Sequence, residues 1–414
     1  ALPLLAASLL TDETVSIKGI PNLSDISNML TLLKELGCDI TEDNDVKTLK
    51  VADSSNAHAR YDIVRTMRAS VCVLGPLLAK RGVAKVSMPG GCSFGDRPID
   101  LHLRGLEALG ARIELDGGDI IAHAERLRGA TIFLGGPFGS TVLGTANVMS
   151  AATLATGTTI IESAACEPEI VDLANLLNAM GAKISGAGTP RVTIEGVTEL
   201  GGTEHEVMPD RIVAGTWAIA AAMTNGDIKI ERFPLNQLLA VRDVLEHVGV
   251  HIHQLDHEED TNACSVQIVT DRILKPVIFT TQPFPGFPTD LQAQMMALLC
   301  LARGNSIITE KIYPERFMHV PELSRMGARL VRQGATVVVQ GVDHLVGAPV
   351  MASDLRASAS LVLAGLAAEG ETIVSRVYHL DRGYANMEGT LKSLGANIER
   401  LASEHAEEGL PTVE

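Results

Sequence analysis

The sequence predicts an α/β protein of two lobes, each built from three repeats that set strands outside and apolar helices inside. Three observations lead there. First, a short phrase, Leu/Met/Val-Gly-small-x-Ile/Leu, recurs six times in the 414 residues. Its glycines are Gly37, Gly110, Gly181, Gly249, Gly327 and Gly395, spaced by 73, 71, 68, 78 and 68 residues. Each closes a helical pattern, where a glycine can take positive φ, and precedes an apolar run of strand type. Second, between these copies an Ala/Leu-rich helix ends at Gly82, Gly157, Gly226, Gly304 and Gly370, followed each time by a β-rich run. Third, the stretches SAATLA, WAIAAAM and LVLAGLAA are apolar nearly all round, the pattern of a helix buried on every side.

The elements then follow in order. ALPLLAASLL reads as the first inner helix and TVSIKGI as its strand. TTIIESA after Gly157, DIKIERF after Gly226 and ETIVSRV after Gly370 are later copies of that strand. Six units divide into lobes 1–208 and 209–414, with the boundary near Met208-Pro209. That plan sets ligand chemistry in the cleft between the lobes.

Composition narrows the function. Thirty-four Lys+Arg against 50 Asp+Glu leave a net charge of −16, the wrong sign for a general nucleic-acid binder, which must neutralise phosphates. A small anionic substrate is still compatible, because a local arginine cluster can invert the field inside one site. Six cysteines stand far apart, with no CxxC and no zinc-finger spacing, as in a reduced cytosolic protein. No apolar stretch reaches the roughly 18 residues of a membrane span. The opening ALPLLAASLL has the apolar character of a signal segment but no basic start and no cleavage site.

The sharpest local feature is Pro89-Gly90-Gly91-Cys92-Ser93-Phe94-Gly95-Asp96-Arg97-Pro98. Three glycines and two prolines flank a cysteine, and an arginine follows five residues on, able to lower a thiol pKa and to bind an anion. A thiol so placed can act as nucleophile or general acid, and a loop cysteine without a role is the plainer alternative. The other five cysteines sit in apolar runs and read as packing residues. Polar islands interrupt apolar surroundings at Arg65–Arg68, Glu167–Glu169, Asp210-Arg211, Thr289-Asp290, Arg316 with His319, Asp354–Arg356 and Asp381-Arg382. Singly, each reads as a helix cap or ion pair. Together they suggest an arginine-lined site with carboxylates, suited to a phosphorylated, carboxylated substrate and a base beside a hydroxyl. His251, His253 and His257 alternate along a strand without a further ligand pattern, so they read as a surface strand. Gly186-Ala187-Gly188 lacks the rest of a dinucleotide fingerprint, and no GxxxxGK is present.

The motifs PGGCSFGDRPIDLH, RTMRAS, EPEIVD, PDRI, FPTDLQAQ, ERFMHVPELSRMGA, DLRASASLVLAG and YHLDRGY, in that order, resemble the UDP-N-acetylglucosamine 1-carboxyvinyltransferase family of enolpyruvyl transferases. The resemblance spans nearly the whole chain. It implies two inside-out α/β barrel lobes. It also implies transfer of enolpyruvyl from phosphoenolpyruvate to the 3′-hydroxyl of UDP-N-acetylglucosamine, by addition and elimination, in peptidoglycan precursor synthesis. No metal or organic cofactor is implied, and the protein is expected to be a cytoplasmic monomer. By the same resemblance, Cys92 protonates the enolpyruvyl methylene and is the site of alkylation by fosfomycin. Arg68, Arg97 and Arg382 hold phosphoenolpyruvate, and Asp290 is the base near the 3′-hydroxyl. Asp354 and Arg356 line the same pocket, and Arg316 resembles an arginine of the closing cleft. Asp100 and His102 resemble nucleotide contacts, and Thr141 and Val142 part of the diphosphate loop.

Members of the family usually begin earlier, with a strand and a Gly-x-Lys-Asn motif just before the segment matching ALPLL. Those residues would precede Ala1, and the strand would complete a sheet of the C-terminal lobe. Val213 and GPFGSTVLG also depart from the family pattern, which bears on nucleotide affinity. Two other readings stay open at this point: 5-enolpyruvylshikimate-3-phosphate synthase, which shares fold and donor, and a catalytically weak sugar-nucleotide-binding paralogue.

Overall fold

The computed structural model describes residues 1–88, 99–256, 263–271 and 273–401. It divides into two compact units: residues 1–208 with 283–285, and residues 209–282 with 286–414.

In the first unit three helices fill the centre: Leu2–Ala7, Leu74–Arg81 and Val142–Ala152. Their sequences show why. In Val142–Ala152 every residue from Gly144 to Ala152 is buried, and small Gly, Ala and Ser side chains let neighbouring backbones approach. Gly75 marks the closest approach: a Cβ there would lie 2.3 Å from the Asn147 carbonyl oxygen. Around these helices stand three four-stranded sheets of one pattern. In the first, Val15–Lys18 pairs antiparallel with Val46–Val51, which pairs antiparallel with Cys38–Asp43. The second and third repeat this with Val83–Ser87, Asp119–His123 and Arg112–Asp116, and with Thr158–Glu162, Arg191–Glu195 and Lys183–Ser185. Each sheet also gains one parallel edge strand from the preceding repeat: His58–Ala59 and Thr131–Phe133 in the second and third. The first sheet takes its edge from Thr203–Glu206 at the far end of the unit, which closes the ring of three. Strands such as Thr158–Glu162 bury alternate residues, so one face of the sheet covers the helices.

The second unit repeats the plan less regularly. Arg211–Met223, Gln292–Leu299 and Leu355–Ala367 form the centre. The sheet Ile278–Thr280, Asn305–Thr309, Thr336–Gln340, Arg329–Gln333 has the four-stranded pattern. The sheet of Ile228–Phe233, Cys264–Thr270 and Val250–Gln254 has three strands among the described residues, with Ile228–Phe233 at its edge. Among the described residues the last repeat carries only two-stranded pieces, Pro349–Met351 with Ile373–Ser375 and Leu345–Val346 with Ala368–Glu369.

All six repeat glycines, Gly37 to Gly395, have φ between +87° and +105°, the left-handed conformation that ends a helix. After the helix Arg211–Met223 the positive φ falls on Asn225, at +50°, just before Gly226. Asparagine tolerates that conformation because its short amide can bond locally. The sixth phrase, at Gly395, leads into no strand among the described residues. Among the described residues no helix is long and apolar enough to cross a membrane; Leu4 to Leu10 of the opening segment are core residues.

Candidate active site

In the second unit the chain places Asp210, Asp290 and Asp354 each at or just before the start of a central helix. Asp210 Oδ1 accepts from the backbone N–H groups of Ile212 and Val213 at 2.8 and 2.9 Å. Asp354 Oδ1 accepts from those of Arg356 and Ala357 at 2.9 and 3.2 Å. These are N-caps, and a helix N-terminus favours the negative charge. Asp290 instead lies in the turn Thr289–Leu291 before Gln292–Leu299 and turns its carboxylate to two guanidiniums. Arg316 Nη1 donates to its Oδ1 at 2.6 Å, and Arg356 Nη2 to its Oδ2 at 3.4 Å. The arginine side chains are only 7% and 11% exposed, whereas that of Asp290 is 38% exposed. The carboxylate is thus the accessible member of a largely enclosed clasp.

Behind the clasp lies a network that sequence reasoning missed. Arg356 Nη1 donates to the Tyr384 hydroxyl at 3.1 Å, and its guanidinium lies 5.5 Å from that ring's centre. Thr216 donates its own hydrogen to the Ile212 carbonyl at 2.8 Å. Its oxygen must therefore accept from Tyr384 at 2.9 Å and from Gln294 Nε2 at 3.1 Å. Gln294 Nε2 also donates to the Asp290 carbonyl at 2.9 Å. Glu310, fully buried, accepts from Thr281, Thr289 and the N–H groups of Ile312 and Tyr313. Thr289 in turn accepts from Arg316 Nη1 at 3.1 Å. Burial acts to lower the Arg316 and Arg356 pKa values. The fields of Asp290 and Asp354 outweigh it for Arg316, and those of Tyr384, Asp290 and Asp210 for Arg356, so both sit above the ordinary guanidinium value. Such fixed positive charge around a reachable carboxylate can orient a hydroxyl and stabilise developing negative charge. His319 is buried beside this group, and burial, opposed by Asp354 and aided by Arg316, pushes it down to about 4. Arg382 ends the turn Val377–Arg382, and with burial it lowers the His379 pKa. The neighbouring Asp381 pairs with Arg400 at 2.6 Å.

In the first unit Arg68 begins the turn Arg68–Val73, and Asp100 opens the helix Asp100–Ala108. His102, on that helix, is buried, and its Nδ1 lies 2.9 Å from Asn147 Nδ2. Burial first, and then the positive charge of Arg68, push His102 down to about 4. Thr141 caps the Val142–Ala152 helix, its oxygen accepting from Gly144 N–H at 3.2 Å, and Val142 is the first helical residue. The charge of Arg68 thus acts on His102, and Asn147 bonds the ring. Cys92 and Arg97 lie outside the described residues, as does His257. Cys38, Cys72, Cys264 and Cys300 are buried and Cys166 half-buried; burial raises all five thiols, Cys72 and Cys300 to about 12. They are packing residues. His251 pairs with Asp271 at 3.3 Å on an open strand. Among the described residues no three His, Cys, Asp or Glu side chains are grouped as metal ligands.

Known proteins match this chain over nearly its full length. A family model described as EPSP synthase (3-phosphoshikimate 1-carboxyvinyltransferase) matches residues 1–391. A protein of Magnetococcus marinus named UDP-N-acetylglucosamine 1-carboxyvinyltransferase is 53% identical, over 97% of this chain and 94% of its own. Proteins of the same name from Solidesulfovibrio magneticus and Methylacidiphilum infernorum are 54% and 51% identical over the same shares. Among solved structures, the enolpyruvyl transferase NikO from Streptomyces tendae superposes with a TM-score of 0.86 at 24% identity, over 96% of this chain and 93% of its own. EPSP synthase from Acinetobacter baumannii superposes with a TM-score of 0.74 at 18% identity, over 96% and 94%. At those identities the two structures speak for the fold.

Proposed function

The chain belongs to the EPSP synthase family, and from that membership we infer that it transfers the enolpyruvyl group of phosphoenolpyruvate to the 3′-hydroxyl of UDP-N-acetylglucosamine and releases phosphate. This is a step of peptidoglycan precursor synthesis, carried out in the cytoplasm by a monomer. The observation that carries the acceptor's identity is that relatives bearing this activity in their names share about half of all residues with the chain. The same relatives weigh against shikimate 3-phosphate as acceptor, although the fold alone would suit it.

The chemistry divides among named residues. Cys92 gives its proton to C3 of phosphoenolpyruvate while the sugar oxygen bonds to C2, and Asp290 takes the hydroxyl proton. The tetrahedral adduct then returns a proton from C3 to the Cys92 thiolate and expels phosphate from C2, which carries off the proton held by Asp290, restoring the double bond on the sugar. Arg68, Arg97 and Arg382 bind the donor's phosphate and carboxylate, for which planar guanidiniums are suited. Asp100, His102, Thr141 and Val142 serve the nucleotide. Arg316, Arg356 and Asp354 hold Asp290 and its surroundings. The clasp of two enclosed arginines on one reachable carboxylate supports the assignment of Asp290.

The test is phosphate release from phosphoenolpyruvate with each acceptor in turn. Release with UDP-N-acetylglucosamine and not with shikimate 3-phosphate is expected. The reverse would transfer the chain to the shikimate reaction, and binding of the sugar nucleotide without release would make it a binding paralogue.

A further inference from the structure

We propose that Asn147 is a positioning residue that holds His102 in the tautomer with its proton on Nε2, so that the ring offers an N–H donor to an oxygen of the sugar nucleotide. The inference rests on the proposed function for the identity of that ligand, but its structural half stands on hydrogen bonds alone.

Asn147 lies at the centre of the first unit, 1% exposed, with three polar neighbours that leave its amide one orientation. The Gly75 backbone N–H, which can only donate, points to Oδ1 at 2.9 Å. The Val71 carbonyl, which can only accept, faces Nδ2 at 2.9 Å. Turning the amide over would set N–H against N–H and oxygen against oxygen, two repulsions in a buried site. Nδ2 therefore spends one hydrogen on Val71 and has its second for His102 Nδ1, at 2.9 Å. A nitrogen that accepts carries no proton, so Nδ1 is bare and the ring's proton is on Nε2. The amide cannot drift, because the helix holding Gly75 packs against the Asn147 backbone without room for even a Cβ. Burial and the nearby Arg68 also disfavour the imidazolium that would put protons on both nitrogens. Asn147 thus converts a histidine, which could donate or accept through its far nitrogen, into a donor with one polarity beside a guanidinium. Anionic and carbonyl oxygens suit that pair; a hydroxyl or amide hydrogen does not.

The experiment is a long-range proton–nitrogen correlation of the histidine rings in the 15N-labelled full chain near neutral pH, with His102 identified by its loss in His102→Gln. The expected spectrum shows Nδ1 with the shift of a bare ring nitrogen and Nε2 with that of a protonated one. A proton on Nδ1, or a fully protonated ring, would overturn the proposal. Asn147→Asp supplies the second readout, since a carboxylate only accepts and so requires a proton on Nδ1. The expected result is a switched ring together with a roughly tenfold weaker Kd for UDP-N-acetylglucosamine, the loss of about one charge-assisted hydrogen bond. A switched ring with unchanged affinity would overturn the ligand half. Should that variant not fold, the unmodified chain's spectrum still decides the tautomer. Failure of the unmodified chain to bind the sugar nucleotide at all would overturn the functional reading, while the tautomer would be decided independently.

Discussion

Tyr384 is linked to three side chains by one oxygen: it accepts from Arg356 and Gln294 and donates to Thr216. In Tyr384→Phe those groups lose a partner in a buried place, which costs about 1–3 kcal/mol. Arg356 also loses the anchor opposite Asp290, so kcat should fall by roughly tenfold or more with little change in KM, as follows from the proposed action of the aligned carboxylate on the acceptor hydroxyl. Urea titration and steady-state rates check the two parts; full turnover in a destabilised Tyr384→Phe would detach the network from the chemistry. Cys92 makes a sharper case. Cys92→Ser should lower turnover by about 100-fold or more, the scale of a lost general acid. Cys92→Asp should keep measurable turnover, because a carboxylic acid also donates, and should escape fosfomycin, because the proposed site of alkylation then carries no thiol. Near-normal rates in Cys92→Ser would remove Cys92 as the acid. At this scale the sequence named the three members of the clasp, Asp290, Arg316 and Arg356, because arginines and aspartates stand out in apolar runs. It hid Tyr384, Gln294, Glu310 and Asn147. Each is a polar residue inside a core with at least one partner distant in sequence, such as Thr216 and Tyr384, 168 residues apart.

Helices and strands were more legible than the bonds between them. A glycine at the end of each helix is a local signal, and all six repeat glycines have left-handed backbones. The strand reading failed at Gly395, which leads into no strand among the described residues. The parallel edge strands were not legible: His58–Ala59 has two residues, and Thr203–Glu206 pairs with a strand nearly the whole unit away. Short strands specified by distant partners carry too little pattern to stand out. Glycines of the two kinds should also differ in experiment. Gly110 has φ +97° with open space around its missing Cβ, so Gly110→Ala costs only backbone strain, about 1–2 kcal/mol. Gly75 has ordinary φ but no room, its Cβ falling 2.3 Å from backbone oxygen, so Gly75→Ala must push two central helices apart. The cost there is about 3 kcal/mol or more, at the upper end for overpacking. Equal loss of stability in both variants would mean that the helix contact yields more easily than its distances imply.

At the scale of the molecule, two separate cores carry one buried neutral histidine each, His102 in the first unit and His319 in the second. Both are pushed down to about 4, chiefly by burial, from an ordinary 6.5. The unfolded chain then binds more protons than the folded one below pH 6.5, so stability is lost as pH falls from 6.5 toward 4. By pH 5 the loss approaches roughly 2 kcal/mol for each histidine. Trp217, the sole tryptophan, packs on the second core and reports that unit alone. Urea unfolding followed by tryptophan fluorescence and by far-ultraviolet circular dichroism should therefore shift to lower urea at pH 5 in both signals. His319→Gln should blunt the pH shift of the fluorescence transition. His102→Gln should blunt only the part of the dichroism transition that fluorescence does not follow. Should His102→Gln change the fluorescence transition equally, the two cores unfold as a single cooperative body, and protonation of either histidine destabilises the whole chain.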